Sequence, residues 1–261
     1  MKIAVVTGAS SGIGLETAKL LSENGYRVYG LSRRGGEDSE TMRHLSCDVT
    51  DEAQVQTAFQ TVFKQEGRLD LLVNNAGFGI SGAVEDTTLD SAKKQLDVNF
   101  FGCFLCCKAA VPCLRQSGGG RIINISSMAA VLSIPFQSFY SASKSAINAL
   151  TLALANEVRP FGITVCALMP GDVKTGFTAA REKSESSGAY ETVVQKSVAT
   201  MEHDEQNGMT PRQLAEAVLC LATKKHPKPL STCGAQYKVF AVLQKALPHR
   251  LVNAIVGKIY T

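Results

Sequence analysis

The stretch Ile3-Ala4-Val5-Val6-Thr7-Gly8-Ala9-Ser10-Ser11-Gly12-Ile13-Gly14 places an uninterrupted apolar run before three glycines, then opens a helical pattern over residues 13–24. A strand that is apolar throughout, rather than at alternate positions, is what a parallel sheet covered on both faces requires. Gly8, Gly12 and Gly14 let the backbone turn tightly and approach a pyrophosphate, whose charge the N–H groups and dipole of the following helix stabilise. Two rival readings share these letters. A P-loop needs Gly-Lys-Ser or Gly-Lys-Thr at its end, whereas Leu15 follows Gly14. Gly8-Ala9-Ser10-Ser11-Gly12 also fits the G-x-S-x-G nucleophile elbow, but an elbow normally follows several strands and needs a paired Asp and His, and this one follows the first strand.

Outward from that turn, short apolar runs alternate with helical patterns. Residues 3–7, 27–32, 44–47, 69–74, 121–126 and 163–168 read as strands, and 13–24, 52–66, 89–116, 138–159 and 212–223 as helices. Strands alternating with helices build βαβ units, so the fold class is α/β, a single doubly wound parallel sheet of Rossmann type with helices on both faces. Residues 1–261 form one domain in this reading. Residues 172–210 differ in composition, with Arg181-Glu182-Lys183-Ser184-Glu185-Ser186-Ser187-Gly188 at their centre, and read as a substrate lid or else as a solvated helix pair without a role. Residues 226–261 form a C-terminal extension.

The chain is 45% hydrophobic and 19% charged, with a net charge of +4. That balance is too mild, and its Lys and Arg too scattered, for a nucleic-acid surface. No run of about 18 uncharged apolar residues marks a transmembrane helix, and a strand starting at Ile3 leaves no room for a secretory signal. The expected location is cytoplasmic. Eight cysteines are too few for a disulfide scaffold. Cys103, Cys106, Cys107 and Cys113 allow a metal or redox site, but without a nearby His they read better as small apolar residues on a buried helix. No metal is expected, because the four histidines show no ligand spacing.

The second strand ends Gly30-Leu31-Ser32-Arg33-Arg34. An NAD-binding βαβ unit would place a carboxylate there for the ribose 2′-OH. The guanidinium groups suit a 2′-phosphate instead, which favours NADP(H); the alternative is that Arg33 and Arg34 merely solvate a strand end. Further along, Tyr140 and Lys144 stand four residues apart on one helical face. A nearby ammonium favours the tyrosinate, so the pair can donate and accept a proton. Ser127 lies thirteen positions earlier, at a strand end, where its hydroxyl can hold a substrate oxygen.

Taken together, Thr7-Gly8-x-x-x-Gly12-x-Gly14, Asp48-Val49, Asn74-Asn75-Ala76-Gly77, Asn99, Ser127, Tyr140-x-x-x-Lys144 and Pro170-Gly171 resemble the classical short-chain dehydrogenase/reductase family. The resemblance implies hydride transfer between a nicotinamide and a ketone or secondary alcohol. By that analogy Tyr140 is the acid/base, Lys144 lowers its pKa and binds the nicotinamide ribose, Ser127 polarises the carbonyl and Asn99 positions a water for proton relay. The implied NADP(H) contacts are Gly8, Ser10, Ser11, Gly12, Ile13 and Gly14 in the turn. Ser32, Arg33, Arg34, Asp48 and Val49 serve the adenosine side. Asn75, Ala76, Gly77, Tyr140, Lys144, Pro170, Gly171, Val173 and Thr175 serve the nicotinamide side.

Met128-Ala129-Ala130-Val131-Leu132, Phe78 and Phe177 suggest an apolar, steroid-like carbonyl or alcohol substrate, or else ordinary core packing. No Arg or Lys is obviously placed to bind a substrate carboxylate or phosphate, the open alternative being Lys174, Arg181 and Lys183 in residues 172–210. The tail lacks the Val-Asp-Gly-Gly-like turn of many tetrameric members and is similar to the branch with 17β-hydroxysteroid and retinol-type dehydrogenases, which favours a homodimer through residues 89–116 and 138–159. Leu247, Leu251, Val252, Ile255, Val256 and Ile259 recur at helical spacing, so this helix covers the cleft, packs in a dimer or contacts a membrane surface. The alternative to an enzyme is a non-catalytic protein that senses NADP(H).

Overall fold

The computed structural model describes residues 1–36, 38–177, 180–184 and 188–261, and the backbone alone at Ala235. Its elements run β1 (Lys2–Thr7), α1 (Gly12–Glu23), β2 (Tyr26–Ser32), β3 (Met42–Ser46), α2 (Glu52–Glu66), β4 (Leu71–Asn74), β5 (Ile80–Ser81) and α3 (Leu89–Leu96). A π-helical turn (Asp97–Phe101) follows, then α4 (Gly102–Gln116), β6 (Gly120–Ile125), α5 (Ser138–Glu157) and β7 (Ile163–Met169). The chain ends with β8 (Glu182–Lys183), α6 (Glu191–Gln206), α7 (Pro211–Thr223), β9 (Leu230–Thr232), α8 (Ala235–Ala246) and α9 (His249–Tyr260).

Seven parallel strands form one sheet in the order β3-β2-β1-β4-β6-β7-β9. The apolar run of β1 is explained by its two covered faces. Ile3 and Val5 pack into a core with Tyr29, Leu72, Ile122 and the helices α2, α4 and α5. Ala4 and Val6 pack into a second core with Val28, Leu71, Ile123 and the helices α1 and α7. β1 pairs with β2 on one side and β4 on the other, so the strand order reverses there and opens a crevice at the strands' C-terminal ends.

The structure departs from the sequence reading in three places. The sheet does not end at 168, because Leu230–Thr232 adds a seventh strand, Ala167 pairing with Leu230. Three residues are too short a run to stand out by periodicity. A separate two-stranded sheet joins β5 to β8, with Ile80 opposite Glu182. The helix read over 89–116 is real but is interrupted by the π turn.

By length and composition Leu89–Gln116 is apolar enough to cross a membrane, yet Cys103, Cys106, Cys107, Ala110 and Leu114 on it are buried against the sheet. The cysteine cluster is thus core. Burial pushes the Cys106 thiol well up, and a hydrogen bond with Cys103 together with burial does the same at Cys107, the reverse of a reactive thiolate. Within the 172–210 lid, residues 178, 179 and 185–187 lie outside the described residues.

Candidate active site

At the crevice, the turn after β1 is held by the end of β4. Thr7 Oγ1 accepts from the backbone N–H of Asn75 (2.9 Å) and Ala76 (3.0 Å), and Asn75 Nδ2 donates to the carbonyls of Thr7 (3.0 Å) and Gly8 (3.3 Å). Gly8 (φ +67°) and Gly12 (φ +55°) occupy the left-handed region that side chains disfavour. A Cβ at Gly14 would stand 2.2 Å from the Gly8 carbonyl oxygen, so α1 starts in direct contact with the turn. Ser11 caps α1 in an extended conformation with no side-chain hydrogen bond to the helix. The opening N–H groups therefore face outward as anion donors. These features fit a dinucleotide pyrophosphate.

One cavity of about 1130 Å³ runs from this turn past α5 to α8 and α9. Of the residues named from the sequence as catalytic or cofactor-binding, all line it except Gly14 and Asn99, and the cations Lys174, Arg181 and Lys183 are not part of its lining. Arg33 and Arg34 stand exposed at the end of β2 and border the same cavity. Asp48 is held by its own loop, Oδ1 accepting from Thr50 N (3.0 Å) and Oγ1 (2.8 Å), and Val49 is buried beside it. Thr175 is adjacent to the turn, its side chain 3.7 Å from where a Gly12 Cβ would be.

Tyr140 and Lys144 project from the first turns of α5 beside the end of β6. Ser127 caps the 3-10 turn Met128–Ala130 by accepting from Ala129 N (3.1 Å), which leaves its O–H free to donate. Lys144 is buried, donates from Nζ to the Ile125 carbonyl (2.8 Å), and lies 5.7 Å from the centre of the Tyr140 ring. Burial pulls its ammonium down to about 8. Burial likewise pushes the Tyr140 phenol up to about 12, against a hydrogen bond with Ser127 that lowers it; nearby Glu205 and Asp172 add to the rise and Arg181 opposes it. The sequence argument expected the ammonium to lower the tyrosine. In this structure burial is the largest influence on both groups.

Asn99, read from the resemblance as positioning a water for proton relay, has its side chain fixed by the fold. It is buried in the π turn, Oδ1 accepting from Phe78 N (3.0 Å) and Nδ2 donating to Phe78 O (3.0 Å) and Ser143 Oγ (3.1 Å). Its amide is therefore engaged in fixing the loop after β4, directly behind Gly77, where a Cβ would meet Asn99 Oδ1 at 3.0 Å and Lys144 Nζ at 3.8 Å. A π turn re-aims one residue of a helix, and functional sites use such turns for that purpose.

Residues of the 172–210 segment supply the opposite wall. The Phe177 ring lies 5.7 Å from that of Tyr140, with the Arg181 guanidinium 5.9 Å from Phe177. Arg181 is buried and paired with Glu205 of α6. Lys183 likewise pairs with Glu202 at 3.1 Å. Asp172 accepts a hydrogen bond from the Tyr237 hydroxyl of α8, and burial raises its carboxyl. The two ends of the 172–210 segment are tied together by Met209 N donating to Asp172 O (2.9 Å) and Lys174 N to Met209 O (2.8 Å). Sequence reasoning missed Asp172, Glu205, Tyr237 and Ser143. Asp172 alone had a signal, since it follows Pro170-Gly171 directly.

Comparison with known proteins follows the same lines. The family model described as short chain dehydrogenase matches residues 2–186. A 3-ketodihydrosphingosine reductase of Bacteroides thetaiotaomicron is 42% identical over 256 residues, covering 97% of this chain and 95% of that protein. A short-chain dehydrogenase structure from Streptomyces avermitilis superposes with TM-score 0.86 at 31% identity, covering 94% and 92% of the two chains. Two further structures were solved with a dinucleotide. A 3-ketoacyl-(acyl-carrier-protein) reductase from Brucella melitensis carries NADH (TM-score 0.75, 25% identity, 88% and 95% coverage). ElxO carries NADP (0.76, 26%, 91% and 99%).

Proposed function

The chain belongs to the short-chain dehydrogenase family, and from that premise we propose that it is an NADPH-dependent reductase of a lipophilic ketone, reversible as a secondary-alcohol dehydrogenase. Membership makes it an oxidoreductase acting on CH–OH groups with a nicotinamide dinucleotide. The observation that carries the finer reading is the convergence of Ser127, Tyr140 and Lys144 on one cavity that begins at an anion-binding turn and ends at an apolar wall.

A nicotinamide dinucleotide would be held by the turn at Gly8, Gly12 and Ile13 and by Asn75 and Thr175 along the cavity, and would supply a hydride for the carbonyl carbon. The Tyr140 hydroxyl gives its proton to the carbonyl oxygen as negative charge develops there, and Ser127 donates the second hydrogen bond. Two convergent donors backed by a cation stabilise the developing alkoxide more than the neutral carbonyl. Lys144, in its charged form, balances the tyrosinate left behind.

The preference for NADPH rests on Arg33 and Arg34 beside Ser32, with no carboxylate at the end of β2. For the substrate, the sequence pointed to a steroid-like ring system. The Bacteroides relative's name points to a long-chain amino ketone of the same lipophilic class. We favour the latter, because Asp172 and Asp204 line the cavity along with Tyr140, in addition to the Glu205 that Arg181 pairs with, and a carboxylate on this wall suits an ammonium next to the reacting carbonyl. A homodimer through α4 and α5 is part of the proposal, supported by the exposed Phe101, Phe104 and Leu152. So is a cytoplasmic setting, which suits eight free thiols.

The test is oxidation of NADPH and NADH, followed at the nicotinamide absorbance band, over long-chain 2-amino-3-ketones, steroids, retinoids and short ketones. Tyr140→Phe is expected to lose about 10²- to 10⁴-fold of turnover while still binding NADPH. Equal rates in wild type and variant would leave a protein that only senses the dinucleotide.

A further inference from the structure

Helices α8 and α9 are apolar on two sides. On the inner side Leu247, Val252 and Val256 line the cavity. On the outer side Val239 (56% exposed), Val242 (66%) and Leu251 (47%) face solvent and take no part in that lining. Phe240, Leu243, Ile255 and Ile259 do both, lining the cavity while 44 to 51% exposed, so they form its rim. Of the fourteen large apolar side chains exposed among the described residues, seven fall in these two helices. An apolar concentration of this kind is characteristic of an interaction surface.

Charge says what it would meet. From Ala217 to Thr261 the sequence contains no Asp or Glu, while Lys238, Lys245, Arg250 and Lys258 are exposed on or beside the two helices. Among the described residues none of the four takes part in an ion pair. Unpaired cations interleaved with solvent-facing aliphatic side chains match an anionic lipid leaflet, where the apolar residues sink below the headgroups and the cations stay among them.

We propose that helices α8 and α9 dock on an anionic membrane surface, with the rim of the cavity against the lipid, so that a lipophilic substrate reaches Tyr140 without crossing water. The docking claim does not rest on the reaction, and its test needs no turnover. Flotation of the purified full chain with phosphatidylcholine vesicles, with and without phosphatidylglycerol, is expected to show binding to the anionic vesicles alone, weakening as salt rises.

Each Lys or Arg near such a surface contributes about fivefold to partitioning. The triple variant Lys238→Gln, Lys245→Gln, Lys258→Gln is therefore expected to bind about a hundredfold more weakly. Val239→Glu with Val242→Glu should release the protein while leaving reduction of a short water-soluble ketone unchanged, since neither residue lines the cavity. Absence of the wild type from the anionic vesicle fraction would overturn the proposal. So would light scattering that shows a dimer broken by the Val239→Glu, Val242→Glu pair in the absence of vesicle binding, because the face would then belong to a second copy. Equal binding of wild type and triple Gln variant would overturn the electrostatic part.

Discussion

Lys144 is held in conflicting circumstances: its charge is needed beside Tyr140, yet burial pulls it down to about 8. With the folded value below the ordinary lysine value of 10.5, the cation is present below about pH 8 and lost above it. The kcat/KM for ketone reduction is therefore expected to be level below about pH 8 and to fall about tenfold per unit above it. A profile level to pH 10 would separate Lys144 from the proton transfer. Stability has the opposite slope, since between about 8 and 10.5 the unfolded chain binds the proton that the fold releases, and so the fold gains as pH rises. At the other end of the site, Arg33→Asp is expected to shift the NADPH to NADH ratio of kcat/KM by about tenfold to a hundredfold toward NADH, the effect of one charge-assisted contact. Steady-state kinetics with both cofactors checks this, and an unchanged ratio would remove Arg33 from the 2′-phosphate site. Both arginines and the Tyr-Lys pair were legible in the sequence because strand ends and helical spacing are local properties.

Among the elements, the join of β1 to α1 tolerates the least change. Gly14→Ala forces a Cβ to within 2.2 Å of the Gly8 carbonyl, so α1 must move off the turn, at a cost of about 1–3 kcal/mol. A lower Tm and at least tenfold weaker NADPH binding are the expected results, measured by calorimetry and cofactor fluorescence. Gly257 in α9 provides the control, because a Cβ there has nothing within 4 Å; Gly257→Ala should leave cofactor binding intact. The π turn at Asp97–Phe101 illustrates what periodicity does not record. Residues 89–116 carry one continuous helical pattern, and the break arises where Asn99 bonds the backbone of Phe78, twenty-one residues away. β9 is hidden for a related reason, its three residues becoming a strand only by pairing with β7.

At the scale of the whole molecule, two groups of exposed apolar side chains stand out among the described residues. One is the α8–α9 face; the other is Phe101, Phe104 and Leu152 on the π turn, α4 and α5. If the second is the dimer interface, Phe104→Glu buries a charge at its centre and is expected to convert the dimer to a monomer at micromolar concentration, as read by light scattering. A dimer that persists would move the interface elsewhere. Separating the two surfaces matters, because only an interface on α4 and α5 leaves the rim of the cavity free.

The sequence by itself determined the class of fold and named most of the residues that the fold gathers around one cavity. An apolar run covered on both faces, a glycine turn ahead of a helix and the order of strand ends are all carried by short segments, so their physics survives without knowledge of what packs against them. Only the tertiary structure decided how each polar group is used. Asn99 holds a loop, Arg181 pairs with Glu205, and Asp172 meets Tyr237 across sixty-five residues. Solvation of a charge depends on neighbours that are distant in sequence. Periodicity likewise says that α9 has an apolar stripe but not which stripe the fold covers, because coverage is a property of the partner surface and not of the helix.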